Sequence, residues 1–223
     1  MATMGRWPAP GRSATLTPAG QRGTGRQGWN RMAVYAITKY PRQCELRDGG
    51  SVTLRPMSEK DGEALLAFFR RVPEDERFFL KDDVTSPRVI ESWTGHLDYD
   101  RALPLLAVTD GRVIANAVLI RHRAGCKRHL GEIRVVIDPE FRSRGLGVMI
   151  MRELVEIAWD AELEQAEFEM VTGVQDEAIK AAEVLGAFPA GTITDAVRDC
   201  DGGLHDVVVL RLPLGKWWQW SQF

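Results

Sequence analysis

Two arginines and two glycines stand close together in a loop at residues 142–147, which reads Arg-Ser-Arg-Gly-Leu-Gly. Gly145 and Gly147 allow a positive φ angle and a close approach of a ligand to the backbone. A helix is predicted to begin next to them, and the first N–H groups of a helix point outward, unpartnered, at its positive end. Arg142 and Arg144 can add charge-assisted hydrogen bonds to phosphate oxygens. The loop therefore predicts a binding site for a phosphate-bearing ligand.

The elements on either side of the loop position it and narrow the choice of ligand. A half-buried strand is predicted at residues 132–137 and ends at Asp138-Pro139, and an amphipathic helix is predicted at residues 146–162. A dinucleotide fingerprint would need glycine at Ile150, and no Lys-Ser/Thr pair follows the glycines as in an NTPase P-loop. What remains is Arg-x-x-Gly-x-Gly after a strand that ends in Asp-Pro. The alternative is an ordinary glycine turn with surface arginines.

The charge of the chain is unevenly distributed, which argues against a nucleic-acid partner. The 223 residues carry a formal net charge of −2, but residues 1–31 contain five arginines and no acidic residue. The rest of the chain therefore carries −7. Because Lys and Arg supply most non-specific affinity for nucleic acids, a body this acidic binds them poorly. It would suit a cationic acceptor, such as a protonated amine.

The remaining composition predicts a cytoplasmic protein that has no metal centre and no membrane partner. Cys44, Cys126 and Cys200 lie far apart and have neither metal-ligand nor redox spacing. No apolar run approaches the ~18 residues of a membrane span, and no secretory signal pattern is found. Residues 1–31 are rich in Gly, Pro and Arg and lack apolar periodicity, which predicts a disordered tail.

The hydrophobic pattern predicts one α/β (mixed α+β) domain at residues 52–214, after a lead-in segment at residues 32–51. Alternating apolar residues predict strands, helical spacing predicts helices, and Asp110-Gly111 predicts a hairpin turn. The order β-α-α-β-β-β-α-β-α-β-β gives a mixed sheet covered by helices. The predicted strands are residues 52–56, 103–108, 113–120, 132–137, 166–171, 191–197 and 206–212. Four helices are predicted: one begins at Ser58, one begins at Ser86, and the other two cover residues 146–162 and 176–185.

With the strand, the Asp-Pro pair, the loop, the helix and the following strand in this order, the chain resembles the GNAT superfamily of acyl-CoA-dependent N-acetyltransferases. The central motif of that family is [Arg/Gln]-x-x-Gly-x-[Gly/Ala] between the fourth strand and the third helix, and it matches residues 142–147 here. The order of elements over residues 52–214 is also the family's order. The resemblance implies a mostly antiparallel sheet with helices on both faces. It also implies that the sheet splays between strands 4 and 5, with acetyl-CoA or another acyl-CoA in the gap.

The resemblance also assigns residues to the acyl donor. Backbone groups of Val135, Val136 and Ile137 would bond the pantetheine arm as a neighbouring strand does, and Gln175 matches an asparagine often found at the start of the fourth helix. The amine would attack the thioester directly in a ternary complex. The protein then supplies positioning, an oxyanion-stabilising backbone N–H and a route for one proton. The loop residues predicted to hold the pyrophosphate are Arg142, Ser143, Arg144, Gly145, Leu146 and Gly147.

Glu132 is the candidate general base, because an ammonium must lose its proton before it attacks and Glu132 enters the motif strand near the predicted reaction centre. The alternative is an exposed glutamate that pairs with Arg134, two residues on and on the same face. A bulge in this strand would change the direction of the Glu132 side chain. The tyrosine that many family members use as a general acid is replaced by Ala182. A thiolate leaving group needs little acid help, since thiol pKa values lie near ~8.5.

The acceptor is expected to be a primary amine of a small molecule or of a protein. An acidic segment with two phenylalanines, residues 74–83, could receive a cationic amine or be a solvated helix connection. Glu167 and Glu169 share one face of a strand and could line the acceptor groove or lie in solvent. The Trp-rich residues 215–223 are predicted to fold back on the body or to dock on a second subunit, as in a homodimer. Two functions stay open: an N-acetyltransferase, or a non-catalytic acyl-CoA-binding sensor or scaffold.

Overall fold

The computed structural model describes residues 37–215. The predicted disordered tail at residues 1–31 and residues 216–223 of the Trp-rich segment lie outside this range. The strands are β1 (Arg42–Glu45), β2 (Ser51–Pro56), β3 (Ala102–Thr109), β4 (Arg112–Arg121), β5 (Leu130–Ile137), β6 (Gln165–Val171), β7 (Phe188–Arg198) and β8 (Leu204–Pro213). The helices are α1 (Gly62–Phe69), α2 (Glu74–Arg77), α3 (Pro87–Gly95), α4 (Leu146–Asp160) and α5 (Asp176–Val184).

The strands form one sheet in the order β1-β2-β3-β4-β5-β6-β8-β7. All neighbouring strands are antiparallel except β5 and β6, which run in parallel. The predicted mixed, mostly antiparallel sheet is therefore confirmed. A parallel pair needs a long crossover between its strands, and the loop at residues 142–147 together with α4 supplies it here.

Strands β5 and β6 separate soon after they meet. They pair only at residues 130–132 and 165–167, and the last pair is Glu132 with Glu167. Beyond this point β6 continues in register with β8, while β5 remains paired with β4. The predicted opening between the fourth and fifth strands is confirmed. These strands are β5 and β6 in the structure because an additional strand precedes them.

Two apolar cores lie on opposite faces of the sheet. On one face Ile150 of α4 packs in the same buried cluster as Leu105 of β3. On the other face Phe69 of α1 and Ile90 of α3 pack in a second cluster with Leu106, the next residue of β3. Successive strand side chains point to opposite faces, so one strand contributes to both cores. Burial of a side chain of this size contributes roughly 1.5–3 kcal/mol, and the two cores thereby hold helices on both faces.

The additional strand is β1, within the segment that the sequence analysis took as a lead-in. It pairs in antiparallel register with β2, and the N–H of Leu46 donates to the carbonyl of Gly50 at 2.7 Å to close the hairpin. Gly49 has a φ of 82°, which the turn requires. The residues of β1 are Arg-Gln-Cys-Glu and face mostly solvent, so they carry no alternating apolar pattern that would predict a strand.

None of the helices in the described part of the chain is both long and apolar enough to cross a membrane.

Candidate functional site

The loop at residues 142–147 turns the chain from β5 into α4 at the open end of the gap. Gly145 is the N-cap of α4 and has a φ of 84°, and Ser143 also has a positive φ, of 59°. The N–H of Met149 donates to the carbonyl of Gly145 at 3.1 Å, which is the first hydrogen bond of the helix. The amides of residues 146–148 therefore have no partner within the helix, and they lie at its positive end.

A cleft of about 590 Å³ lies where β5 has separated from β6, between the end of β5 and the start of α5, and reaches the loop. A Cβ atom on Gly147 would lie 3.2 Å from Cδ1 of Ile137, so glycine keeps this wall open. Gln175 is fixed at the start of α5 because its Oε1 accepts the N–H of Val171 at 2.7 Å. Eight of the ten residues predicted for the donor line the cleft: Val135, Val136, Ile137, Arg142, Ser143, Gly145, Gly147 and Gln175.

The other two predicted residues, Arg144 and Leu146, do not line the cleft. The side chain of Leu146 is buried in the core, so only its backbone N–H is directed toward the loop. The guanidinium of Arg144 lies 3.1 Å from the carboxylate of Asp48 in the β1–β2 turn and over the ring of Phe141. These contacts hold the side chain of Arg144 on the outside of the loop.

Arg142 does reach the cleft, where a carboxylate of α2 holds it. Its two terminal nitrogens donate to the two oxygens of Glu76 at 2.8 and 2.6 Å, and it also donates to the carbonyl of Ile137. The hydrogen bonds to Glu76 raise the pKa of Arg142 above its ordinary value. The pair fixes the guanidinium against the end of β5 and places α2 over the cleft.

A third arginine, Arg47, lies against the loop, and the sequence analysis did not predict it. Its backbone N–H donates to the carbonyl of Arg144 at 3.1 Å. Its side chain covers Gly145, since a Cβ on that glycine would lie 3.0 Å from Cγ and Nε of Arg47. Arg47 lines the cleft and makes no ion pair with any residue in the range 37–215. It comes from the β1–β2 turn, far from the motif in sequence, so no sequence pattern connects it with the loop.

The free edge of β5 faces the cleft. The N–H of Asp138 donates to the backbone of β4 at 2.9 Å, and the register between β4 and β5 shows no shift. Backbone groups of successive residues alternate in direction along an antiparallel strand. The groups of Val136 are therefore directed to β4, whereas those of Val135 and Ile137 face the gap. The bulge that would have redirected Glu132 is absent between these two strands.

Glu132 lies on the face of β5 that α1 and α3 cover, and two cations hold it. Arg134 Nε lies 2.7 Å and Lys81 Nζ lies 3.0 Å from its Oε1 atom, and the side chain is 18% exposed. Burial acts to raise the pKa of the Glu132 carboxyl, but the hydrogen bonds from Arg134 and Lys81 outweigh it and lower the pKa below its ordinary value. Glu132 is thus ionised at neutral pH, and the pairing with Arg134 that was the alternative to a catalytic role is present.

A second cavity, of about 510 Å³, lies on this same face of the sheet. Its floor is formed by alternate residues of β3, β4 and β5, and its roof by α1, α3 and the segment between α2 and α3. Leu80 and Val136 line both cavities, so the two spaces meet near the C-terminal end of β5. The floor residues are Ala102, Pro104, Asn116, Val118, Ile120, Arg134 and Val136.

A sequence profile of the Acetyltransferase (GNAT) family matches residues 64–187, which is more than half of the chain. The chain belongs to this family. An acetyltransferase of Pseudomonas aeruginosa is 28% identical over 120 residues, which make up 51% of this chain and 62% of that protein. The chain thus matches less than two thirds of the length of that relative. Membership of the GNAT family implies that acetyl-CoA is the donor.

Solved structures of GNAT proteins share the fold. A GNAT-family acetyltransferase from Streptococcus pneumoniae is 20% identical, with a TM-score of 0.65 over 74% of this chain and 99% of that chain. A ribosomal-protein-S5-alanine acetyltransferase from Vibrio fischeri is 13% identical, with a TM-score of 0.65 over 74% of this chain and 94% of that chain. At these identities the similarity establishes the fold alone.

No tyrosine among residues 37–215 lines either cavity. The hydroxyl of Tyr40 donates to Glu153, and that of Tyr99 donates to the carbonyl of Met57. Ala182, at the position that the resemblance compares with the family's tyrosine, is fully buried in α5. His96 at the end of α3 does line the second cavity, and the sequence analysis did not single it out.

Proposed function

We propose that this protein is an N-acetyltransferase that moves an acetyl group from acetyl-CoA to a primary amine. One observation carries this proposal: the cleft between the end of β5 and the start of α5 reaches the loop at residues 142–147 and meets a second, separate cavity at Val136. A donor in the cleft and an acceptor in the second cavity would approach each other from opposite sides of β5. This is the arrangement that direct attack in a ternary complex needs.

The donor would be held by charge at one end and by backbone hydrogen bonds along its arm. The amides at the start of α4 and the guanidiniums of Arg47 and Arg142 would bind the pyrophosphate. The backbone groups of Val135 and the N–H of Ile137 would bond the pantetheine arm, whereas the carbonyl of Ile137 already accepts from Arg142. Gln175 would border the arm from the start of α5. Because Arg47 belongs to the β1–β2 hairpin, we propose that the acyltransferase unit begins before residue 52 and includes β1.

In the proposed reaction the amine nitrogen attacks the thioester carbon beside Val136. A C–N bond forms, the C–S bond breaks, and the electron pair of that bond leaves on the sulfur. A backbone N–H on the free edge of β5 would stabilise the oxyanion. Glu132 is the proposed base for the proton of the ammonium, since it is ionised and stands on the acceptor side of β5. Because Glu132 lies four residues along β5 from Val136, about 13 Å, the proton would reach it through a chain of waters. The coenzyme A thiolate needs little acid help because the pKa of a thiol is only about 8.5, and it can take up the second proton that the nitrogen loses as the amide forms.

The test measures thiol release from acetyl-CoA with a panel of amines, and in parallel the affinity for acetyl-CoA by calorimetry. Amine-dependent thiol release that falls in Glu132→Gln, with acetyl-CoA affinity unchanged, supports the enzyme and the role of Glu132. Saturable acetyl-CoA binding without turnover of any amine supports instead the non-catalytic sensor or scaffold. The finding that no tyrosine of residues 37–215 lines the cleft is also compatible with that function. A protein that binds no acetyl-CoA contradicts both.

A further inference from the structure

We infer that the acceptor is a small amine that carries a carboxylate on an apolar body, of which an apolar α-amino acid is the simplest example. This inference rests on the proposed acetyl transfer and names the substrate class of the second cavity. It is carried by the side chains that line this cavity and by which of their charges are already paired within the protein.

The body of the cavity is apolar. Its roof is formed by Phe69 of α1 and Trp93 of α3. Val84, from the segment before α3, and Leu97, which follows α3, complete the roof. The floor contributes further apolar side chains, including Ile120. A cavity of about 510 Å³ with such walls removes an apolar side chain of a ligand from water, and each square ångström of apolar surface buried contributes roughly 25 cal/mol. A polar or highly charged acceptor would gain nothing from these walls.

The cations of the cavity keep unused hydrogen-bond donors. Arg134 bonds Glu132 through Nε alone, so its two terminal nitrogens have no protein partner in the described part of the chain. Arg101, just before β3, is exposed and makes no side-chain ion pair or hydrogen bond within residues 37–215. Each guanidinium offers a planar pair of N–H groups, which matches the two oxygens of a carboxylate.

Two carboxylates line the cavity, and one of them is already paired. Both oxygens of Asp98 accept from Arg123 at 2.6 Å, and Glu132, which contacts the lining residue Arg134, is held by two cations. Asp82 is the one lining carboxylate that no other described residue pairs with, and it lies exposed at the mouth. Of the acidic segment at residues 74–83, Glu76 is bound to Arg142 on the donor side. The wall therefore offers two unsatisfied guanidiniums against one carboxylate, which disfavours a polyamine.

The spacing along β5 suits an amine and a carboxylate on neighbouring carbons. Arg134 and Val136 are two residues apart on one face of the strand, a separation of about 7 Å. An acceptor whose amine lies beside Val136, where the two cavities meet, can place a carboxylate one carbon away within hydrogen-bond reach of Arg134. Arg101 lies farther away, at the Glu132 end of the cavity, because Ala102 pairs with Ile120 and Ile120 pairs with Glu132 across the sheet. That end is four residues along β5 from Val136, about 13 Å, so Arg134 is the guanidinium that a carboxylate one carbon from the amine can reach. The apolar side chain of the acceptor then fills the space under Trp93.

The experiment uses the full chain with saturating acetyl-CoA and three matched pairs of acceptors: L-methionine, L-phenylalanine and L-tryptophan, each beside its own carboxamide. Spermidine and a lysine-containing peptide complete the panel. The amide keeps the amine and the side chain and removes only the negative charge. We expect kcat/KM for at least one acid to exceed that of its amide, of spermidine and of the peptide by about tenfold or more, the effect of one charge-assisted hydrogen bond.

The variant Arg134→Gln separates recognition of the carboxylate from catalysis through the ratio of kcat/KM for the acid to kcat/KM for its amide. Loss of the Arg134 contact with Glu132 lowers both values, whereas loss of a bond to the ligand carboxylate lowers their ratio, which we expect to fall about tenfold. Arg101→Gln is the matched control and should leave the ratio unchanged, because the Arg101 side chain has no partner among residues 37–215 and lies at the far end of the cavity. An unchanged ratio in Arg134→Gln would overturn the inference.

A binding measurement distinguishes failure of the inference from failure of the proposed function. Calorimetry of the coenzyme A complex with N-acetyl-L-phenylalanine and with its amide reports recognition without turnover. Tighter binding of the acid, lost in Arg134→Gln, supports the acceptor class even if no thiol is released, and the absence of release would then contradict the proposed acetyl transfer alone. Equal or undetectable binding of the two compounds, or faster turnover of spermidine or the peptide, overturns the acceptor class. Amine-dependent release of thiol in those experiments would still support the proposed acetyl transfer.

Discussion

Lys81 Nζ lies 2.9 Å from Oε2 of Glu169 on β6. The same nitrogen holds Glu132 on β5, so one ammonium from the segment between α2 and α3 bridges the two strands just where they begin to separate. Of the two β6 glutamates that could line the acceptor groove, Glu169 thus belongs to this bridge. The other, Glu167, is buried and paired with Arg211. The bridge fixes the proposed base at the edge of the acceptor cavity.

Replacement of Lys81 should move the pH dependence of activity. The hydrogen bonds from Arg134 and Lys81 together keep the pKa of Glu132 below its ordinary value, against the effect of burial. Lys81→Met removes one of these cations, so the pKa of Glu132 rises and the acidic limb of the kcat/KM profile shifts to higher pH. The measurement is kcat/KM against pH for one acceptor. Lys127→Met, at an exposed position away from both cavities, is the control. If the acidic limb of the kcat/KM profile stays at the same pH in Lys81→Met, Glu132 is excluded as the base.

Replacement of Arg47 should weaken the binding of coenzyme A. Its guanidinium lines the cleft beside the loop and has no carboxylate partner among the described residues, unlike those of Arg142 and Arg144. We expect Arg47→Gln to raise the Kd of coenzyme A about tenfold, with partial recovery in Arg47→Lys. Calorimetry at two salt concentrations checks this, because loss of a phosphate contact also reduces the dependence on salt. Arg152→Gln, which replaces an exposed arginine on α4 that lines neither cavity, should bind normally. An unchanged Kd in Arg47→Gln would remove Arg47 from the donor site.

Two glycines with similar backbone angles separate strain from function. Gly145 and Gly111 have φ angles of 84° and 75°, which cost alanine about 1–2 kcal/mol. A Cβ at Gly145 would lie 3.0 Å from the side chain of Arg47, whereas Gly111 has nothing within 4 Å. Both Gly→Ala variants should lose about 1–2 kcal/mol of unfolding free energy, and only Gly145→Ala should also weaken coenzyme A binding. Equal coenzyme A affinities in the two variants would contradict the assignment of this loop.

Asp61 should make stability depend on pH in the acidic range. It is 5% exposed, and burial acts to raise its pKa, but hydrogen bonds from Arg55 and Ser58 outweigh this and lower the pKa to about 2. Because the folded pKa is depressed, the contribution is complete above the ordinary pKa of about 3.9 and disappears as the pH falls through about 2. Asp61→Asn should lose roughly 2 kcal/mol at pH 7, and the difference from the wild type should shrink below pH 4.

Denaturant unfolding from pH 2 to 7 measures this contribution of Asp61. Glu63→Gln, an exposed substitution in the first turn of α1, is the matched control and should follow the wild type throughout. A constant difference between Asp61→Asn and the wild type over the whole range would show that packing, rather than the charge of Asp61, is lost in the variant.

Local patterns located the loop at residues 142–147 and the elements from β2 to β8 except α2, a helix of 4 residues that buries no side chain. Alternating and helical apolar spacing located the strands and the longer helices, and the Arg-x-x-Gly-x-Gly motif located the turn whose Gly145 adopts a positive φ. These features depend on residues close together in the chain, which is why the sequence alone determined them. The strand β1 escaped prediction because its side chains face solvent and show no apolar alternation.

Only the tertiary structure decided which charges face the two cavities. Arg144 belongs to the motif, yet a carboxylate from the β1–β2 turn holds it on the outside of the loop, while Arg47 from that same turn lies over Gly145. Likewise Lys81 reaches Glu132 and Glu169 across more than 50 residues of chain. Such pairings depend on how the sheet and its helices bring distant segments together. No local period in the sequence encodes them, because the energy of an ion pair depends on distance in space and not on separation along the chain.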